Sequence, residues 1–109
     1  MEMKPYIASF TITAPVQGTN RQTVTVPRDF MVAEVIAYIP TSATMDILDS
    51  GNSIFGNRPL GGGVFATSNR KIRLFEPYQC KNTALELICE CPEAPTSPIT
   101  VALIGMWQE

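Results

Sequence analysis

The fold of this chain is constrained most by a succession of short segments in which apolar and polar residues alternate. Each segment is bounded by proline or glycine. In residues 6–13, for example, Ala8 and Phe10 fall on one side and Ser9 and Thr11 on the other, which is the period of a half-buried strand. The same period of two recurs in residues 21–26, 44–48, 70–75 and 84–91. No segment has the 3.6-residue period of an amphipathic helix, so we predict an all-β fold without substantial helix.

Two further segments, residues 31–39 and 99–107, are apolar on both faces. Their β-branched residues, and Pro40 after the first, favour strands over helices. They are either core strands covered by a long loop or strands with an outer face at a subunit interface. We favour the interface, because monomers seldom expose such apolar surface. Gly105 is expected to mark a bulge or a close backbone approach.

About seven or eight strands in one domain, residues 1–109, predict an antiparallel β-sandwich, jelly-roll-like or immunoglobulin-like. The strands at residues 6–13 and 21–26 are expected to pair as a hairpin through the turn signal at residues 17–20. Residues 70–75 should form a strand that ends at residues 76–78. Outside these strands, residues 1–6 should form a short N-terminal arm.

The connection at residues 49–69 contains five of the seven glycines, and a structureless connection this long is usually functional or disordered. Gly51 and Gly56 have the spacing of a phosphate-binding loop, but Asn57 and Arg58 stand where lysine and serine or threonine are required. The glycines at 61–63 instead predict a chain that bends closely over another surface.

Acidic and small polar residues near this loop lack the spacing of a calcium-binding loop. We therefore expect Asp49 and Ser50 to form a solvated strand end with local backbone hydrogen bonds. Cys80, Cys89 and Cys91 are an odd number and are expected to be small buried residues, with Cys89 and Cys91 about 6–7 Å apart on one strand face.

Composition argues against catalysis, because the chain has no histidine and therefore no Ser-His-Asp or Cys-His set. Glu86 and Glu90 form a period-two pair without a nearby base or nucleophile. We predict no enzyme activity, no cofactor and no metal. The cluster Arg70, Lys71 and Arg73 is either a solvated face that blunts a sheet edge or, less favoured, a contact for an acidic partner.

Charge and hydropathy limit the classes of partner that the chain can bind. A formal charge of −2 argues against nonspecific nucleic-acid binding, which needs a basic face. The apolar run at residues 99–107 is far shorter than a membrane span of about 20 residues. Because no leader-like segment opens the sequence, we expect the chain to be made and used in a cytosol-like compartment, or to be carried out of it by something larger.

Three segments together resemble a family of small virion proteins of tailed bacteriophages. They are residues 27–35, residues 45–51 running on to Asn57-Arg58-Pro59-Leu60, and residues 82–87 followed by residues 99–105. The shared pattern is a "D-S-G … N-R-P-L" loop, an "N-x-x-L-x-L" strand and a closing apolar strand that ends in glycine.

The resemblance implies a jelly-roll capsid decoration (cement) protein, without catalysis, made in the cytoplasm of the host bacterium and located on the capsid surface. Its expected partners are the major capsid protein and itself, as a homo-oligomer and most often a trimer. The expected contacts lie in the N-terminal arm, the loop at residues 54–65 and the last strand: Met3, Lys4, Tyr6, Phe55, Arg58, Leu60, Phe65 and Trp107.

The alternative is a jelly-roll module that binds a host receptor or a carbohydrate at the virion surface, as part of a head fibre or tail. Such a module needs exposed aromatic residues on a concave face, and the candidates are Trp107 and Tyr78.

Overall fold

A computed structural model describes residues 3–55, 60–62 and 70–108, except for the side chains of Leu60, Phe75 and Gln108. These residues contain nine strands and no α-helix. The strands are β1 (Met3–Ile12), β2 (Gly18–Thr25), β3 (Met31–Tyr38), β4 (Thr44–Asp49), β5 (Asn52–Ser53), β6 (Leu60–Gly61), β7 (Lys71–Gln79), β8 (Ala84–Cys91) and β9 (Ile99–Gln108).

The strands form two antiparallel sheets with the strand order of a jelly roll. One sheet has the order β1-β9-β3-β7, and the other has the order β2-β8-β4-β5, with β6 also paired to β4. Successive long strands lie in opposite sheets, which confirms the predicted jelly-roll sandwich. The predicted hairpin of the first two strands is wrong: β1 pairs with β9 and β2 with β8, because the connection crosses between the sheets.

The inward residues of both sheets form one apolar core, as the alternation predicts. Phe10, Met45, Ile47, Leu87 and Leu103 are among the fully buried side chains. Burying a side chain of this size stabilises the fold by about 1.5–3 kcal/mol. Edge-to-face packing of Tyr6 on Phe30, with ring centroids 5.5 Å apart, extends the core toward the start of β1.

Three sequence-based boundaries are wrong. Residues 3–6 are not an arm, because they belong to β1, where Lys4 lies opposite Trp107. β7 continues through Pro77 to Gln79, which is possible because β7 is an edge strand, where a missing N–H breaks no ladder. The segment at residues 49–69 is not structureless, since β5 and β6 lie within it and pair with β4.

β5 forms because Ser50 and Gly51 make a two-residue hairpin turn. Both have positive φ, 53° and 85°, the backbone of the type I′ turn that matches strand twist. Leu48 and Asp49 therefore lie opposite Ser53 and Asn52. Within the glycine run the predicted close approach occurs at Gly62, whose N–H donates to the Ala43 carbonyl at 2.7 Å. A Cβ there would overlap the Pro40 carbonyl. Gly61 has no described atom near its Cβ position, and Gly63 lies outside the described residues.

Gly105 sits beside a β-bulge, as its position in an apolar strand predicts. Between β3 and β9 the register shifts so that Val32 faces Gly105 and Glu34 faces Ile104, which leaves Ala33 as the extra residue. The bulge brings the Met31 carbonyl so close to Gly105 that an added Cβ would overlap it, with the Phe30 ring 3.1 Å away. Only glycine fits this position.

We expect Gly105→Ala to destabilise the fold by at least about 1–3 kcal/mol, because the methyl group must displace backbone. The matched control is Gly61→Ala, where a Cβ meets no atom of the described residues within 4 Å, and its effect should stay within about 1 kcal/mol. Urea unfolding monitored by Trp107 fluorescence measures both. Equal stability of the two variants would contradict the assigned bulge.

Candidate functional site

The outer face of the β1-β9-β3-β7 sheet carries most of the exposed apolar side chains. Ile7 is 61% exposed, Tyr38 50%, Met106 42% and Met3 39%, and among the described residues only Val16 of the other large apolar side chains is as open. Ile36, Ala102 and Ile104 lie on the same face and are partly buried. We call these seven residues the outer apolar face.

The strand registers make this face continuous. Ile7 lies opposite Ile104, and Ala102 lies opposite Ile36 across the next pair of strands. A shallow depression of about 290 Å³ over Ala102 is walled by Ile36, Tyr38 and residues of β1. Cross-strand neighbours of this kind form a single apolar surface rather than isolated side chains.

Charged residues border the outer apolar face on the β7 side. Lys71 contacts Glu34 at 3.1 Å, and the Arg70 guanidinium lies 4.2 Å from the centre of the Tyr38 ring, within cation–π range. Lys71 and Arg73 are exposed on an edge strand. Lys71 and Arg73 therefore lie at a sheet edge, as predicted, whereas Arg70 is half-buried against Tyr38. A contact between this cluster and an acidic partner stays a prediction.

The outer face of the other sheet is more polar, although Leu48 and Ile88 also lie on it, partly buried. β2 presents Thr19, Arg21, Thr23 and Thr25, all exposed, and the neighbouring β8 presents Glu86 and Glu90. Arg21 and Glu86 approach each other to 3.7 Å. The difference between the two outer faces is that, among the described strand residues, the exposed large apolar side chains all belong to the β1-β9-β3-β7 sheet.

The sequence-predicted contact residues are distributed between the surface and the core. Met3 belongs to the outer apolar face, and Lys4 is partly buried in β1. The aromatic rings of Tyr6, Phe55 and Trp107 pack against the core instead of standing free. A contact role for these residues remains a prediction.

The remaining predicted contacts fall largely outside the described residues. Arg58 and Phe65 lie in undescribed segments, and for Leu60 only the backbone is described, paired with Met45. Sequence reasoning missed Ile7, although it shares the parity of Ser9 and Thr11 on a face expected to be wet. An isoleucine among those polar residues was the available signal.

Gln22 is a second residue that sequence reasoning missed. Its side-chain amide donates to the Thr11 carbonyl at 2.9 Å, and its Oε1 accepts from the Thr11 N–H at 2.7 Å. Gln22 therefore pairs like a backbone group with the free edge of β1 and ties the two sheets together. The sequence feature that could have identified it is a polar residue in alternation with the inward-facing Val24 and Val26.

Asp49 is buried, with 2% exposure, and holds the end of β4 to the end of β7. It accepts hydrogen bonds from the Tyr78 hydroxyl at 2.9 Å, the Lys81 N–H at 2.8 Å and the Asn82 side chain at 3.0 Å. The prediction of a solvated strand end is therefore wrong. The Ser50-Gly51 turn directs this carboxylate toward the β7–β8 connection.

Opposing effects act on the pKa of Asp49. Burial favours the neutral acid, but the hydrogen bonds from Lys81, Asn82 and Tyr78 outweigh it and hold the pKa below its ordinary value. Burial and the bond to Asp49 raise the pKa of Tyr78 to about 12. Asp46 is also engaged, by the Ile47 N–H and by Ser53, so both carboxylates serve the protein's own hydrogen bonds.

Asp49→Asn should lower the unfolding free energy at pH 7 by about 1–3 kcal/mol, because it weakens charge-assisted hydrogen bonds. Since the folded-state pKa is depressed, this stabilisation is present above the unfolded-state value of about 3.9 and is lost as pH falls through the folded-state pKa. Urea titrations from pH 7 to pH 2 should show the two proteins converging in acid.

The control is Asp29→Asn, since Asp29 is exposed and its left-handed φ of 62° suits asparagine equally well. It should track the parent protein across the whole pH range. A constant gap between Asp49→Asn and the parent down to pH 2 would contradict the carboxylate's role.

All three cysteines are free and buried, as predicted. The sulfurs of Cys89 and Cys91 lie 4.0 Å apart, closer than the 6–7 Å expected from strand rise, because the two side chains lean together. Burial raises the pKa of Cys80 to about 12, and burial together with Cys91 raises that of Cys89 to about 12.

Native protein should therefore expose no thiol to a disulfide reagent such as DTNB at pH 8, because thiolate is the reactive form and both burial and pKa oppose it. In denaturant, three thiols per chain should react within minutes. A thiol that reacts rapidly in the folded protein would contradict the assigned packing.

The rival sites have little support in the geometry. In the described part of the chain, no group of three metal-ligating side chains converges, and no helix is long and apolar enough to span a membrane. Trp107 packs on the core and Tyr78 is hydrogen-bonded to Asp49, so neither is a free aromatic platform.

Comparisons with known proteins assign no family to this chain. The sequence matches no protein-family model and no curated protein. A solved structure, the periplasmic inhibitor of g-type lysozyme PliG from Aeromonas hydrophila, is similar over 95% of this chain and 85% of that one, with a TM-score of 0.42 and 12% identity. Similarity at this level carries no argument about function.

Proposed function

We propose that the protein is a non-catalytic structural protein of a bacteriophage virion, which decorates the capsid by packing its outer apolar face on the major capsid protein. The observation that carries the proposal is the difference between the two sheet faces. A soluble sandwich does not need Ile7, Tyr38 and Met106 exposed together on one sheet, and apolar surfaces of this kind mark protein interfaces.

The chemistry of the face favours a protein partner over a glycan. Sugars are bound by free aromatic rings among hydrogen-bonding groups. This face has aliphatic residues along its centre, and the Arg70 guanidinium lies over the ring of its exposed aromatic residue, Tyr38. The charged border of Glu34, Lys71 and Arg70 resembles the polar rim that surrounds the apolar centre of a protein interface. The resemblance to phage virion proteins supports a capsid lattice as the partner surface.

The direct test compares Met106→Asp with Thr25→Asp. Met106 lies on the outer apolar face, and Thr25 is exposed on the opposite sheet beside Ala84. Each purified variant is added to capsids that lack the protein, and co-sedimentation is measured. We expect Met106→Asp to weaken binding by at least about tenfold, since a carboxylate would be desolvated in the interface, and Thr25→Asp to bind normally.

Equal binding of the two variants, or weaker binding of Thr25→Asp alone, would overturn the assignment of the face. Circular dichroism of both variants establishes that they are folded. If the parent protein binds a glycan and does not bind capsids, the carbohydrate-binding alternative replaces the proposal.

A further inference from the structure

The hydrogen bonds of Gln22 show which backbone groups of β1 point to its free edge. Both the N–H and the carbonyl of Thr11 bond to Gln22, so they point away from β9. The β1–β9 register is unbroken from Met3 to Ile12, and in an antiparallel strand the direction of these groups alternates from residue to residue. The backbone groups of Ile7 and Ser9 therefore also point to the free edge.

This edge is open over a short and nearly uncharged segment. Among the described residues, β1 pairs with β9 alone in its sheet. Gln22 closes the edge at Thr11, while Pro5 lacks an N–H but keeps its carbonyl. Lys4 is the one charged residue of β1. Lys4 and Pro5 are residue types that protect sheet edges, and both lie near the start of β1, so the unprotected template for another strand runs from Ile7 to Ser9.

We propose that β1 pairs antiparallel with β1 of a second copy of this chain about a two-fold axis, which makes one continuous eight-stranded sheet from the two four-stranded ones. A second copy is the occupant that the position of the edge favours, since the outer apolar faces of the two copies would join across the new strand pair at Ile7.

Two constraints select the register. The odd-numbered residues of β1 direct their backbone groups to the free edge, as Thr11 does. Each of them must pair with another such residue, so the two residue numbers of a pair sum to an even number. The partner strand must also end before Thr11, whose groups Gln22 occupies. Pairing about Tyr6 satisfies both conditions: Met3 faces Ser9 of the partner subunit, and Ile7 faces Pro5 of the partner subunit.

In this register the Ile7 N–H donates to the carbonyl of Pro5 of the partner subunit, and Ser9 and Met3 exchange both of their bonds. Pairing centred one residue earlier would set the two Pro5 residues opposite each other and lose bonds. The selected register also places Lys4 opposite Ala8 of the partner subunit, so no like charges face each other.

The test changes the edge at Pro5 and Ser9 and leaves all seven residues of the outer apolar face in place. Ser9→Pro removes an N–H that points to the free edge, so the β9 ladder is retained while two intermolecular bonds of the dimer are lost. Pro5→Ala supplies the N–H that Pro5 lacks and adds two bonds, one to Ile7 in each copy. Sedimentation equilibrium over a concentration series measures the dimer dissociation constant.

We expect a dimer for the parent protein, a dissociation constant raised at least about tenfold in Ser9→Pro, and one lowered about tenfold in Pro5→Ala. Opposite shifts from two edge substitutions are specific to strand pairing. A monomeric parent, a trimer, or a dimer that neither substitution shifts in the expected direction would overturn the proposal.

Pro5→Ala keeps the test informative if Ser9→Pro does not fold. The inference is separable from the proposed function, because Met106→Asp changes the outer apolar face and leaves the β1 edge intact. Loss of capsid binding with an unchanged dimer, or loss of the dimer with residual capsid binding, assigns each failure to one surface.

Discussion

The two-residue alternation of each strand fixes three surfaces at once. Because Ala8 and Phe10 must enter the core, Ile7 and Ser9 must face outward and must also direct their backbone groups to the free edge of β1. A shift of one residue would bury the wrong set everywhere. The core, the outer apolar face and the open edge are thus consequences of one packing constraint.

Sequence alone could predict the long strands and most of the core, because inward residues such as Met45, Ile47 and Leu87 follow strict alternation next to turn signals. It also anticipated the role of Gly105. It could not predict that β1 and β2 lie in different sheets, since a crossover and a hairpin use similar turn residues. The two-residue strands β5 and β6 are too short for any period to be visible.

The polar hubs were harder to predict, because they depend on contacts between residues far apart in sequence. Asp49 reads as a loop residue, yet it is buried by Tyr78 and Asn82, 29 and 33 positions later. Gln22 belongs to no sequence motif. The only sign of its role was a polar residue at a position of β2 that faces inward. The outer apolar face could be predicted in part. The apolar character of β3 and β9 was evident from the sequence, but the strand order was needed to show that their apolar residues lie together on one outer sheet face.

A jelly roll supports many functions, so the site must carry the functional conclusion, and here the site is a surface. An edge-paired dimer would present two outer apolar faces side by side, which would strengthen attachment to a repeating lattice through effective concentration. The most direct measurement is an electron cryomicroscopy map of capsids decorated with the protein. We predict that Ile7, Ile36 and Met106 are buried against the major capsid protein. A map with this face in solvent and the β2-β8-β4 face on the lattice would contradict the proposed function.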